Sequence, residues 1–305
     1  LCILIFHHPQ VYLLIFYLIR ILKTEHKIDI PIICIGNINL GGTGKTSTLL
    51  EIINHFKINN KNICVLLKGY GGKKTIFKKV SPDESAVQVG DEAILYSNHV
   101  PTYISTNRRL AVKKILDDVN PDFILLDDGF QDKSLFKDKN ILMVNGERGF
   151  GNKLCLPAGP LRELIKPALK RAQFLIIVGN DKTKIKSMYN EIEIDTLTAS
   201  IEPLYIDKNK KYLAFSGIGN NQSFFDTLIN NNCTVPKTVE FPDHHFFTED
   251  ELNHLKKMAS DNNLYLITTE KDFVRIPEEK RKGIECLKVK IKLSNIDEFI
   301  HKLVN

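Results

Sequence analysis

The residues best suited to chemistry stand in one short stretch, Asn39-Leu40-Gly41-Gly42-Thr43-Gly44-Lys45-Thr46. Its glycines let successive backbone N–H groups converge on one point. A lysine behind them can reach the β- and γ-phosphates of a nucleotide, and the Thr46 hydroxyl can hold Mg²⁺. The usual phosphate-binding pattern begins with Gly, and Asn39 stands at that place here. A second candidate is Asp127-Asp128-Gly129-Phe130-Gln131, which follows the apolar run Phe123 to Leu126. An Asp at the end of a hydrophobic strand can hold Mg²⁺ opposite the phosphate-loop hydroxyl, so Asp127 and Thr46 are the expected metal pair. Asp128 is expected to position the lysine or a water. Further on, prolines bracket the loop Leu156 to Glu163, a rigid support for Arg162 beside phosphates and Glu163 beside a metal. Simpler readings stand beside these: a glycine turn without a ligand, and an Asp-Gly turn.

These groups need elements to position them. Ile32 to Ile35 reads as a buried strand entering the glycine turn, and Ser47 to Phe56 as the helix leaving it. Ile63 to Leu67, Thr102 to Ser105 and Phe123 to Leu126 read as further short strands, the first ending in the turn Gly69 to Gly72. Strands alternating with helices predict a parallel sheet whose ligand crevice lies at the strands' carboxyl ends. Val89-Gly90-Asp91-Glu92 opens another helix with two acids in its first turn, a pattern that helix-dipole complementarity alone can explain. The remainder predicts β segments Thr196 to Ile206 and Lys211 to Phe215, joined as a hairpin through Asp207 to Lys210. After them come strands Val235 to Phe241, Leu264 to Thr268 and Cys286 to Ile291, with helices Ser223 to Asn230, Glu249 to Asn262 and Ile296 to Val304.

At 305 residues, 43% hydrophobic and 26% charged, the chain has the composition of a globular protein of about two domains. Six scattered cysteines form no C-x-x-C pair, so neither a zinc site nor a disulfide framework is suggested. A net charge of +6 without aromatic-interleaved basic clusters does not point to nucleic acid, and Arg108, Arg109, Arg148 and Arg162 lie beside the motif-rich stretch as candidate phosphate contacts. The first nineteen residues carry no Lys, Arg, Asp or Glu, but His7 to Gln10 leaves only Val11 to Ile19 as an uninterrupted apolar run. Nine helical residues reach about 14 Å, half a hydrocarbon core. With Arg20, Lys23 and Lys27 following, the run is expected to lie in a membrane interface; packing on the protein and a true span are the alternatives. The chain opens on Leu1 and not Met, which leaves room for residues upstream.

Taken together, seven motifs resemble the tetraacyldisaccharide 4'-kinase family, which phosphorylates a lipid A precursor in Gram-negative bacteria. They run from Pro31 to about Arg275: Ile35-Gly36-Asn37 with Gly41 to Thr46, Gly69-Tyr70-Gly71, Val89 to Glu92, Asp127 to Gln131, Leu156 to Glu163, Phe241-Pro242-Asp243-His244-His245, and Thr268-Thr269-Glu270-Lys271-Asp272. The resemblance implies transfer of the ATP γ-phosphate, with Mg²⁺, to the 4'-hydroxyl of a disaccharide 1-phosphate lipid at the cytoplasmic face of the inner membrane. It also implies Asp91 and His244, from different lobes, acting on that hydroxyl beside Lys45 and Asp128. From the residues alone, the His pair could as well cap the following helix. Two positions depart from the family: Asp132 stands where His is usual, and Gly72 where Arg is usual, with Lys73 or Lys74 as substitutes.

The expected architecture is therefore α/β: a phosphate-loop parallel sheet (α/β/α) over residues 29–205, and a smaller α/β lobe over 206–305 joined by a β-hairpin linker. An interface helix over 1–28 precedes them, and the protein is expected to be a monomer. A GTPase is disfavoured because Thr269-Glu270-Lys271-Asp272 has its Lys one place late for a guanine reader. A partition-type ATPase would carry a signature lysine where Leu40 stands. A membrane-tethered ATPase or a nucleotide-dependent scaffold without sugar kinase activity is the remaining alternative.

Overall fold

In a computed structural model of the protein, residues 24–305 are described, so the apolar run Val11 to Ile19 lies outside them, while residues 24–28, the described end of the expected interface helix, carry no helix. The large sheet is built first. Strands β1 (Ile32–Gly36), β2 (Ile63–Leu67), β3 (Lys78–Lys79), β4 (Thr102–Ile104), β5 (Phe123–Asp127), β6 (Lys139–Asn145), β7 (Phe174–Val178) and β8 (Asp195–Pro203) come from the first two thirds of the chain. The last strand, β13 (Val289–Leu293), joins them in the order β13-β8-β7-β6-β1-β5-β2-β4-β3. Neighbours from β8 to β4 are parallel; only the edge strands β13 and β3 run antiparallel.

A parallel sheet is covered on both faces, which is why β1, β2, β5 and β7 read as unbroken apolar runs without alternation. Ile33 and Ile35 face one layer, with Leu49, Ile52, Ile53 and Phe56 of α1 (Lys45–Ile58) and Ala93, Ile94 and Tyr96 of α3 (Asp91–Ser97), which follows the single turn α2 (Ala86–Val89). Ile32 and Cys34 face the other, with Ala111, Val112 and Ile115 of α4 (Arg108–Val119) and Ala168 and Leu169 of α5 (Ile165–Leu169). The short turn α6 (Ile185–Met188) adds Ile185 to that second layer.

The small lobe has a four-stranded parallel sheet of its own, β10-β9-β11-β12, from β9 (Lys211–Ser216), β10 (Thr234–Glu240), β11 (Tyr265–Thr269) and β12 (Ile284–Leu287). Helix α7 (Asn221–Asn230) packs Phe224, Phe225 and Leu228 on one face, and α8 (Glu249–Asp261) packs Leu252, Leu255 and Ala259 on the other. The six-residue α9 (Glu270–Arg275) leaves β11 toward the large lobe.

Three sequence expectations change here. The segments flanking Asp207 to Lys210 do not form a hairpin: β8 belongs to the large sheet and β9 to the small one, so the chain changes lobes between them. It returns at Lys288, which splits the single strand expected over Cys286 to Ile291 into β12 and β13, one per sheet. The crossings lie side by side, with Leu204 N–H donating to the Lys288 carbonyl (2.9 Å). The small lobe thus ends near Leu287 and does not run to residue 305. Strand β13 and α10 (Ile296–Val304) complete the large lobe, because the apolar face Phe299, Ile300 and Leu303 needs a partner and β7 and β8 provide it. Phe299 meets Phe174 of β7 edge to face, with ring centroids 5.0 Å apart.

Truncating Phe299 to Ala should cost about 3–5 kcal/mol, the usual range for a buried phenylalanine. Hydrogen exchange should show protection lost in β7 and β8 and retained in β9 and β11. Loss centred on the small sheet would place the carboxyl-terminal helix with that lobe instead.

Candidate active site at the lobe junction

The glycine turn lies at the carboxyl end of β1. Gly44 has φ +78°, in the left-handed region that favours glycine, and it lets α1 start at Lys45 directly behind the turn. No side chain caps this helix and no acid sits in its first turn, so the positive end of its dipole stays available to an anion. Asn37, fully buried, braces the turn: its amide nitrogen donates to Thr43 Oγ1 (3.2 Å) and its oxygen accepts from Lys45 Nζ (3.1 Å). Asn39 turns its amide to the Gly149 carbonyl (3.0 Å), so its side chain holds the turn from outside. Leu40 N–H donates to the Pro160 carbonyl (2.9 Å) and Arg162 N–H to that of Ile38 (2.7 Å). The proline-bracketed loop is thereby sewn to the phosphate loop. Gly41 and Gly42 face the small lobe at Gly219 and Asn220.

The paired aspartates at the end of β5 diverge. Asp128, with φ +48°, takes an ion pair from Lys45 (3.1 Å) and both oxygens accept from Arg162 Nη1 (3.1 and 2.9 Å). Burial works to raise its carboxyl, and the two cations overcome this and hold it at about 2. Asp127 is buried with one oxygen accepting from Tyr96 (3.0 Å) and the other, Oδ1, without a hydrogen-bond partner. Burial first, then the neighbouring charge of Glu92, pushes its carboxyl up to about 7. An orphaned, buried carboxylate oxygen beside Glu92, whose Oε1 lies 3.5 Å from the Thr46 hydroxyl, is a hard-oxygen donor set that fits Mg²⁺. Glu163, expected here, is engaged elsewhere: Arg171 pairs with it (2.7 Å) and Gln131 donates to it (3.1 Å). Among the described residues no cluster of three or more His, Cys, Asp or Glu stands ready to hold a metal alone, so nucleotide oxygens would supply the other positions.

The departure at Asp132 has a visible consequence. It pairs with the buried Arg108 (2.9 Å), whose Nη2 donates to the carbonyls of Asp127 and Asp128 (3.2 Å each). Arg108 is therefore a brace for the aspartate turn. Of the other arginines considered as phosphate contacts, Arg109 serves the Ser134 carbonyl (2.9 Å), Arg148 pairs with Asn220 of the small lobe (2.5 Å), and only Arg162 stands in the turn. At Gly72 a Cβ would lie 2.7 Å from the backbone of residues 88–90, so this loop has no room for a side chain.

Asp91 begins α3, and its placement depends on Gly90, whose φ of +91° and close approach to the Tyr70 carbonyl (2.5 Å for an added Cβ) admit only glycine. The small lobe then closes over it. Arg275 of α9 pairs with Asp91 Oδ2, and His244 Nδ1 lies 3.6 Å from Oδ1. Arg275 is itself fixed by the Gly217 carbonyl (2.7 Å) and Asp272 (3.0 Å). Lys271, one helical turn before Arg275, pairs with Glu92 (2.7 Å). Burial would raise the Asp91 carboxyl, but the pairing with His244 and the charges of Lys271 and Arg275 hold it well below the usual carboxylate range. The same pairing with Asp91 raises His244 against the opposing effect of its burial. The adjacent His245 goes to the other expectation, joining the capping box of α8 through Glu251 (2.9 Å).

With this geometry in place, comparison with known proteins is decisive. A family model described as tetraacyldisaccharide-1-P 4'-kinase matches residues 5–305. The chain belongs to the tetraacyldisaccharide 4'-kinase family. Among its relatives, a tetraacyldisaccharide 4'-kinase of Rickettsia bellii is 36% identical over 276 residues, covering 89% of this chain and 84% of that protein. One from Gluconobacter oxydans is 32% identical over 280 residues, with the same coverage of each. The crystal structure of LpxK from Aquifex aeolicus in complex with ATP superposes with a TM-score of 0.73 at 26% identity, covering 97% of this chain and 96% of that one.

The structure thus brings Lys45, Thr46, Asp127, Asp128 and Arg162 together at the large sheet, and Asp91 and His244 together across the lobes. It draws Asn39 and Glu163 into supporting contacts. Sequence reading did not single out Glu92, Tyr96, Lys271 or Arg275 as members of the site. The acid pair at the start of α3 was a signal for the first; the others are visible only once the lobes meet.

Because the folded value of His244 is raised, its ion pair contributes stability that is complete below the ordinary histidine value of about 6.5 and fades as pH rises through the raised value. The gap in thermal stability between wild type and His244→Gln should therefore be full near pH 6 and shrink on going alkaline. A gap that widens with pH would contradict the pairing with Asp91.

Proposed function

We propose that the protein is an ATP-dependent kinase that transfers the γ-phosphate to the 4'-hydroxyl of a tetraacyldisaccharide 1-phosphate in lipid A synthesis, at the inner-membrane surface. The observation that carries this reading is the meeting of Asp91 with His244 at the edge of a phosphate loop, which gives a hydroxyl acceptor its own proton acceptor. Among the described residues no helix is long and apolar enough to cross a membrane. In this reading the protein acts as a monomer.

The roles follow from the contacts. The phosphate-loop N–H groups from Gly41 to Thr46 and the start of α1 receive the polyphosphate, and Lys45 bears on the transferring group. Asp128 keeps Lys45 and Arg162 aligned there. Thr46, Asp127 and Glu92 would hold Mg²⁺, which on binding neutralises charge on the β- and γ-phosphate oxygens. Asp91 has Oδ2 tied to Arg275, while Oδ1 faces His244 at a distance longer than a hydrogen bond, so Oδ1 is the oxygen placed to accept the hydroxyl proton. A depressed carboxylate is a weak base, yet it suffices where the transition state is loose and the proton leaves late. His244 orients that carboxylate and shares the proton.

The direct test is incubation of ATP with acylated glucosamine disaccharide 1-phosphates and a search for the bisphosphorylated product. Lys45→Ala should keep the fold and lose most turnover; a variant with more than about a third of wild-type rate would speak against the assignment. ATP hydrolysis indifferent to any lipid sugar would instead favour the ATPase or scaffold reading. Asp91→Ala, His244→Ala and the double variant should show non-additive losses in log kcat. Strict additivity would mean two independent residues.

A further inference from the structure

The small lobe reaches the large one through two cations on a single helix. Lys271 and Arg275, four residues apart on α9 and so on one face, meet the adjacent carboxylates Glu92 and Asp91 at the start of α3. The two prongs differ in kind. Arg275 is almost wholly buried and locked by Gly217, Asp272 and Asp91, with His244 Nδ1 at 3.4 Å. Lys271 carries its charge on a flexible four-carbon stem, and its ammonium is paired with Glu92 alone among the described residues. Glu92 Oε1 faces two ways, 2.7 Å from Lys271 Nζ and 3.5 Å from the Thr46 hydroxyl, and Asp127, with its orphaned Oδ1, is near enough to feel the charge of Glu92.

One carboxylate oxygen cannot serve an ammonium and a divalent ion together without bringing like charges to within a few ångströms, where repulsion at a half-buried site is strong. We propose that Lys271 and the divalent cation compete for Glu92, so that loading the metal site frees the lysine prong of α9 while the Arg275 prong stays fixed. Lys271 is then a positioning residue: it aims Glu92 at the junction before the cation takes that carboxylate, and it sets how tightly the cation is held. By reciprocity, whatever seats α9 through Lys271 weakens the cation, and the cation loosens Lys271 by the same factor. The inference rests on the metal-binding reading of Thr46, Glu92 and Asp127 given above.

The test is Mn²⁺ binding to the full chain saturated with a non-hydrolysable ATP analogue, followed by loss of the free-ion electron paramagnetic resonance signal beyond that with the analogue alone, in wild type, Lys271→Met and Asp127→Ala. Methionine keeps the stem and its packing and removes the charge. Lys271→Met should bind Mn²⁺ tighter by about tenfold or more, the effect of deleting one nearby positive charge, and Asp127→Ala should lose the site. A purely structural lysine would lower thermal stability and leave Mn²⁺ affinity unchanged; that result, or weaker binding, overturns the competition while the kinase reading stands. If Asp127→Ala does not diminish Mn²⁺ binding, the metal assignment fails and the competition with it. Should Lys271→Met fold poorly, wild type alone decides: hydrogen exchange of Glu270–Arg275 should quicken on adding Mn²⁺, and unaltered exchange at saturating ion overturns the proposal.

Discussion

A charged carboxylate buried where two lobes meet is the constraint on which the rest of this structure depends. Asp91 is almost completely shielded from water, and a buried ion without partners costs far more than the fold can tolerate. Its partners are Arg275 and His244, and both come from the small lobe. Arg275 is equally buried and leans in turn on Asp272 and the Gly217 carbonyl. Among the described residues every cation acting on Asp91 comes from the small lobe, so the large lobe depends on that contact to satisfy its buried charge. In the proposed reaction, Asp91 and His244, which need each other for solvation, are also the pair that acts on the hydroxyl.

The large sheet makes this possible by putting unlike chemistries on neighbouring strand ends. The strand order brings β1, β5 and β2 side by side with the same polarity, so the glycine turn, the Asp127-Asp128 pair and the Gly69–Gly72 turn emerge along one edge. From that edge the two aspartates take opposite electrostatic characters within one residue. Asp128 faces Lys45 and Arg162 and stays ionised; Asp127 faces Glu92 and the interior and is pushed toward neutrality. What separates them is the left-handed backbone at Asp128, which turns its side chain to the cations, with Arg108 holding both carbonyls in place.

Much of this was legible in sequence because it is local. The phosphate loop reads from Gly41 to Thr46 since glycine placement and the following helix are set within a few residues, and unbroken apolar runs announce buried parallel strands. Boundaries inside β12 and β13 were not legible: Cys286 to Ile291 is one β-favouring run, and only the competition of two sheets for its halves breaks it at Lys288. The same holds for the hairpin expected around Asp207 to Lys210, where turn residues mark a lobe crossing. Glu163 was assigned to metal from its place in the rigid proline-bracketed loop, yet Arg171, eight residues on, pairs with it. Motif resemblance located Asp91 and His244. It carried no sign that Arg275 would bind one carboxylate oxygen, because that residue lies 184 positions from Asp91.

His244 and His245, adjacent in sequence, make their contacts in different lobes. The left-handed φ of +60° at His244, in the turn at residues 243–244, sends the two rings to different sides. His245 stacks on Phe241 and ties into the start of α8, which anchors the loop in the small lobe. His244 is carried outward against Tyr70 and Asp91 of the large lobe. The proton acceptor is thus completed by a residue whose position is set by the other lobe's core. Were the lobes to part, Asp91 would lose the Arg275 and His244 that fix its orientation, and with them the placement that proton transfer needs. In the proposed reaction, closure over an acceptor hydroxyl would bring the pair together and exclude competing water in one movement, favouring transfer to the sugar over hydrolysis.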